Sequence, residues 1–332
     1  MIDKVKTFGK FLDQPILISK LDKAMPLIMA TGGLVAYSKI AKDTFQKGKE
    51  ENTPKEEVKK DVIKKGIILA TSVASALLAP RIAGKAFNRA PIDSIATVKE
   101  KNKNLVDNFV KNNELKEDTV QILNKTKEKN LSFKEVNKLS KNLKFKEGNE
   151  FMEKLIPDPQ NIKASDIFQE IGFLSLYGAV PVLGGVVGGV VADKAVGDDY
   201  KSNINDKINE GIFQYLANIF MCNIGAGAAL GILEKMKITS KTARAIGMTT
   251  GIIITGAVGG AKIANFISQK VINPIFSPKK KMEERKTEPM DLCLHTDDIA
   301  TVSLLSGLKW IEPALPILYS VSGYKTGVGY RN

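Results

Sequence analysis

Uncharged apolar runs alternate along this chain with lysine-rich polar segments. Residues 24–38 and 66–80 carry no charge, and neither do the longer runs 171–192, 211–233 and 245–261. A weaker pair follows at 299–308 and 313–324, split by Lys309 and Glu312. A helix that spans a bilayer needs about 20 apolar residues, a length the third and fourth runs reach. The two short runs near the N-terminus span only if Lys23, Lys39, Lys65 and Arg81 reach out to the interface. The third run holds eleven Ile, Leu, Phe or Val residues. They favour insertion by roughly 3 to 7 kcal/mol before its glycines and Pro181 subtract from that.

The polar stretch 91–165 follows another pattern. Ile95, Val98, Leu105 and Phe109 recur at helical spacing, as do Phe133, Val136, Leu139 and Leu143. Ser132 with Glu135 forms a capping box that opens the second of these helices. "PDPQ" at Pro157–Gln160 breaks the pattern. This segment is expected to be a water-exposed helical insert. It carries no EF-hand ligand spacing. At the N-terminus Ile2, Val5, Phe8, Phe11 and Leu12 make a short amphipathic helix. It suits a membrane interface or the protein's own body equally, and it has no signal-peptide cleavage site.

Glycine spacing changes the picture of the apolar runs. "GAVPVLGGVVGGVVADK" at Gly178–Lys194 would be a poor helix in water, where its two glycine pairs cost roughly 4 kcal/mol against alanine. In lipid, helices associate where small residues let backbones approach, so the glycines read as contact surface. Gly184 with Gly188, Gly185 with Gly189, and Gly227 with Gly231 are each four apart. Gly247, Gly251, Thr255 and Gly259 form one further ridge, and Gly256, Gly260 and Ala264 another. Pro26, Pro181 and Pro316 mark candidate helix bends, or simply helix openings.

The same stretch has relatives within the chain. "AMPLIMATGG", "AVPVLGGVVGG" and "ALPILYSVSG" share Ala-x-Pro with a glycine seven residues after the proline: Gly33, Gly188 and Gly323. "GIILATSV" at Gly66–Val73 also matches "GIIITGAV" at Gly251–Val258. The order suggests a duplicated unit, 20–88 and 175–273, with a truncated third start. Compositional likeness among Gly/Ala/Ile-rich helices is the plainer alternative.

The fold expected from these patterns is all-α: a helical membrane bundle with glycine-zipper packing, a possible internal duplication and a charged helical insert. It divides into 1–90 (interfacial helix and first hydrophobic pair), 91–165 (insert), 166–275 (second hydrophobic unit) and 276–332 (basic linker and C-terminal helices).

Charge sharpens the expected partners but not the topology. The net charge is +13 over 332 residues, which favours an anionic lipid surface. Aromatics are only 7%, and the basic segments lack the interleaved rings that single-strand binding uses, which argues against nucleic acid. The ridges would also suit a homo-oligomer. Loop 193–210 is acidic and loop 234–244 basic. The positive-inside rule puts 234–244 in the cytoplasm, and alternation then leaves the basic stretches 39–65 and Pro278–Lys286 outside, against the rule.

Candidate chemistry is sparse. The one histidine lies in "DLCLHTDDIA", Asp291–Ala300, with Cys293, Asp297 and Asp298 nearby. The spacing matches no strong metal motif, and helix capping by Thr296 or Asp297 explains the acids better. Cys222 reads as a buried thiol. No Walker loop, nucleophile elbow or dinucleotide fingerprint occurs, and no cofactor is expected. The apolar runs are almost free of charge, so no ion relay is expected either. The sequence therefore points to a membrane-localised protein of structural, scaffold or pore-forming type. Two alternatives remain: a helical effector that inserts into a target membrane, and a membrane enzyme using His295 and Asp298.

Overall fold

The computed structural model describes residues 2–156, 164–238, 241–276, 284–286, 288, 291 and 309–329. Every regular element among them is helical. The helices are α1 (Ile2–Leu12), α2 (Pro15–Glu50), α3 (Lys55–Ala86), α4 (Ile95–Asn112), α5 (Glu117–Thr126), α6 (Phe133–Asn142) and α7 (Lys146–Leu155). Then come α8 (Ala164–Val196), α9 (Tyr200–Tyr215), α10 (Met221–Lys235), α11 (Lys241–Ile252), α12 (Ala261–Ile267), α13 (Asn273–Phe276) and α14 (Leu315–Val328). π-helical segments at Leu216–Phe220, Ile253–Gly260 and Ser268–Ile272 join α9 to α10, α11 to α12 and α12 to α13.

Five helices are long and apolar enough to cross a membrane: Pro15–Glu50, Lys55–Ala86, Phe168–Val196, Tyr200–Lys235 and Ile246–Phe276. They are built on the five longest apolar runs, which is consistent with a membrane location. The helix on 313–324 is too short, at 14 residues.

The chain forms two compact units. The first comprises the described parts of 1–25, 91–162 and 303–314. Its core gathers Val106, Phe109, Leu123, Val136, Leu139 and Phe151, with Phe109 stacked on Phe151 at 4.0 Å between centroids. On α4 the buried positions are Val98, Asn102, Val106 and Phe109, and Leu105 packs half-buried against the same core. Asn102 is tolerated there because its amide donates to the Thr126 carbonyl at 2.9 Å. The capping box on α6 forms as expected, with Ser132 and Glu135 each bonding the other's backbone N–H. The N-terminal helix α1 packs with this insert: Phe11 meets Phe133 edge-on at 6.2 Å. The sequence had grouped α1 with the first hydrophobic pair, because nothing local in "FGKFL" names a partner more than a hundred residues away.

The second unit comprises the described parts of 26–90, 163–302 and 315–332. Here α8 packs against α3, α9 and α14, and α10 against α11 and the π-helical segment after it. Half of the most apolar window of α8 and of Tyr200–Lys235 is buried, against 11% for Pro15–Glu50, so α8 to α10 form the centre and α2 an outer helix. Leu183, Val187 and Val191, spaced four apart on α8, face outward, as do Leu27, Ile28, Leu34 and Val35 on α2. Gly197 ends α8 at φ +78°, a conformation only glycine adopts without strain. The turn it allows brings the Asp198 N–H back to the Asp193 carbonyl at 2.9 Å.

Candidate functional site

The segment 193–210, expected as an acidic loop, is mostly helix α9. It buries Asn205, Lys207, Asn209 and Glu210. These residues belong to a polar cluster at one end of the second unit. Asp193, fully buried at the end of α8, takes an ion pair on each carboxylate oxygen: Lys64 of α3 at 2.6 Å and Lys207 of α9 at 2.6 Å. Lys64 also meets Asp198 at 2.8 Å.

A second group centres on Arg285. Its Nε and Nη2 donate to Glu210 at 2.9 and 3.1 Å, and its Nη1 and Nη2 donate to Asp291 at 2.8 and 3.2 Å. The guanidinium lies 4.4 Å from the centre of the Phe213 ring, a cation–π distance. Its backbone is tied to α12, where the Asn265 amide accepts from the Arg285 N–H at 3.0 Å and donates to its carbonyl at 3.1 Å. Lys325 of α14 donates to Asp291 at 2.6 Å and to Glu288 at 3.0 Å. Gln214 and Asn218 continue inward along α9 and the π-helical segment after it. Gln214 donates to Glu210 at 2.8 Å and to Asp291 at 3.2 Å, and Asn218 donates to Gln214 at 3.0 Å. On a neighbouring stripe Asn205 and Asn209 both donate to Asn273, at 3.2 and 2.9 Å.

Electrostatics favours the charged forms of Asp291 and Arg285. Burial opposes ionisation of Asp291, but the hydrogen bonds from Lys325 and the Glu288 N–H, with the Arg285 charge, bring its carboxyl below the usual carboxylate range. Burial likewise opposes the Arg285 cation, and Glu210 and Asp291 outweigh it, raising an already high value. Buried ion pairs rarely add net stability over an apolar core, yet removing one partner costs several kcal/mol. The cluster therefore fixes which helix ends meet rather than stabilising the unit cheaply. Asp193, Glu210 and Lys325 are charges flanking three apolar runs, and Lys64 precedes the Lys65 that flanks a fourth, so the run boundaries converge on one place.

The predicted small-residue positions sit as follows. A β-carbon on Gly185 would overlap the Gly323 carbonyl of α14, and one on Gly189 would overlap the Lys207 side chain. Gly184 and Gly188 lie against Ser75 and Thr71 of α3. Gly251 lies against the Gly225 carbonyl, Gly256 against Cys222 and the Ala217 carbonyl, and Gly260 against Ala217 and Leu216. Gly247 abuts Leu233, and a β-carbon on Gly259 would have only the Ile254 carbonyl nearby, at 3.6 Å. Gly227 is buried. Gly231 has open space around it, so within the chain only Gly227 of that pair is enclosed. Gly33, Gly188 and Gly323, matched in the internal frame, have unlike surroundings, since Gly33 makes only an ordinary 3.8 Å contact with Val73.

Pro26 and Pro181 lie inside α2 and α8. Pro316 falls in the first turn of α14, so it opens that helix instead of bending it. Cys222 is buried, as expected, with its Sγ 2.9 Å from the Ala217 carbonyl. Cys293, His295, Asp297 and Asp298 lie outside the described residues, as do Pro157–Gln160 and the run 299–308. Among the described residues no group of His, Cys, Asp and Glu could hold a metal ion.

Searches with this chain match no protein-family model, no curated protein and no solved structure.

Proposed function

We propose that this is an integral membrane protein of structural, scaffold or pore-forming type, without catalytic chemistry. The outward apolar faces carry the reading. Leu183, Val187 and Val191 line one side of α8 while the opposite sides hold its glycines and Asp193. In water such rows would be an aggregation surface, whereas in hydrocarbon they are solvated. The finer proposal is glycine-zipper packing, in which α8 meets α14 through Gly185 and Gly189 and α3 through Gly184 and Gly188. Its partners would be an anionic lipid bilayer, drawn by the +13 charge, and a second copy of the chain.

Carbonate extraction of membranes tests the reading. An integral protein stays in the pellet. Partial release to the soluble fraction would favour a helical effector that enters membranes conditionally.

A further inference from the structure

We infer that Arg285 is a stopper, seated in the mouth of a polar vestibule that takes water and small cations when it is vacated. This rests on the membrane-spanning reading, because a polar stripe matters in this way only where lipid surrounds it.

The stripe is Glu210, Gln214 and Asn218, spaced by four along α9 and the π-helical segment after it. Eight residues of helix carry it about 12 Å inward from Glu210 to Asn218. Gln214 and Asn218 lie inside the apolar run 211–233, where polar side chains are costly and usually serve a purpose. Helix contacts alone do not cover them. Asp291 reaches Gln214 at 3.2 Å and Asn218 at 3.5 Å, and the Arg285 fork locks Asp291 to Glu210. Beyond Asn218, Asn223 is also buried, and its side-chain oxygen has no hydrogen-bond partner among the described residues. A π-helical turn holds more residues than an α-turn, so five residues from Asn218 keep Asn223 near the same side.

Charge indicates the class of occupant. Glu210, Asp291 and Glu288 face Arg285 and Lys325 in the closed arrangement. With Arg285 unseated, three carboxylates face one ammonium, and a mobile cation is what offsets the excess negative charge. The Phe213 ring under the guanidinium offers a further cation-binding face.

Thiol accessibility in membrane vesicles tests this. In protein carrying Cys222→Ala and Cys293→Ala, Asn218→Cys is probed with membrane-impermeant methanethiosulfonates of either charge. With Arg285 present the thiol should react slowly. Arg285→Ala should speed the reaction by about tenfold or more, as expected when a local closed state is lost. The cationic reagent should gain more than the anionic one. Leu174→Cys, fully buried on α8, reports whether the bundle is intact. If Leu174→Cys also becomes reactive, Arg285→Lys decides instead: it keeps the charge but cannot span Glu210 and Asp291 together, and should still speed labelling. The stopper is overturned by fast labelling with Arg285 in place, or by unchanged rates in the deciding variant. An anionic preference overturns the cation assignment. Release of the parent protein by carbonate would instead sink the membrane reading, whatever the labelling rates.

Discussion

Gly185 of α8 and Gly323 of α14 meet with no room for a side chain. A β-carbon on Gly185 would overlap the Gly323 carbonyl, and one on Gly323 would lie 3.1 Å from the Pro181 carbonyl carbon. The contact runs in both directions between two backbones, and backbone cannot move aside as the end of a lysine can.

Gly185→Leu should therefore destabilise the second unit more than an ordinary overpacking change, which costs about 1–3 kcal/mol. Gly189→Leu meets the aliphatic part of Lys207 as well as the Gly327 carbonyl, and should cost somewhat less. Val187→Leu, on the outward face, should be nearly neutral. Thermal unfolding in detergent ranks the three. Equal midpoints for Gly185→Leu and Val187→Leu would remove the α8–α14 contact as a packing surface.

Asp193→Ala should be more damaging still. Among the described residues it leaves Lys207 buried with no carboxylate partner and Lys64 with only the half-exposed Asp198. Breaking a buried pair from one side costs about 3–5 kcal/mol. Pairing Asp193→Leu with Lys207→Met removes both charges and should recover most of that loss. A double variant as unstable as the sum of the singles would show that the pair is not coupled.

In the first unit Gln14 holds Leu131 as a strand neighbour would. Its amide donates to the Leu131 carbonyl at 2.9 Å and accepts from the Leu131 N–H at 2.6 Å. Gln14→Ala orphans both buried backbone groups, at about 1–3 kcal/mol each. Faster amide exchange at Leu131, with little change at Asp291, is the expected signature.

The apolar runs, the capping box and the buried Cys222 were legible because each is a local signal. Hydropathy marks a spanning helix wherever the helix is apolar, and Ser132 lies three residues from its Glu135. Helix α9 was not legible. Its buried side includes Asn205, Lys207, Asn209 and Glu210, which read as solvent-facing when partners are unknown. Those partners are distant: Arg285 lies 75 residues from Glu210. The expectation of no ion relay rested on the near absence of charges inside the runs, and it said nothing of ion pairs at their ends. The network uses the charges at their ends, with only Gln214 and Asn218 reaching inside. The π-helical segments left no mark in the periodicity, since one extra residue in a glycine-rich helix shifts no clear apolar stripe.

Glu135 supplies a pH test of the insert. The Lys125 side chain at 2.6 Å, then the Ser132 N–H and hydroxyl, hold its carboxyl down at about 2. A carboxyl with a depressed value in the fold stabilises it at pH above the unfolded value, near 4.5. That contribution fades as pH falls below 4.5 and is gone once pH has passed through about 2. The insert should therefore lose stability across that window. Glu135→Gln keeps a capping amide but not the charge. It should be less stable than the parent at pH 7 and should converge on the parent near pH 2. Protection of the Ser132 amide, which donates to Glu135 at 2.8 Å, reads the effect at its source once intrinsic exchange is corrected for pH. A constant difference in protection between the two proteins from pH 7 to pH 2 would mean that the carboxylate charge does not hold this cap.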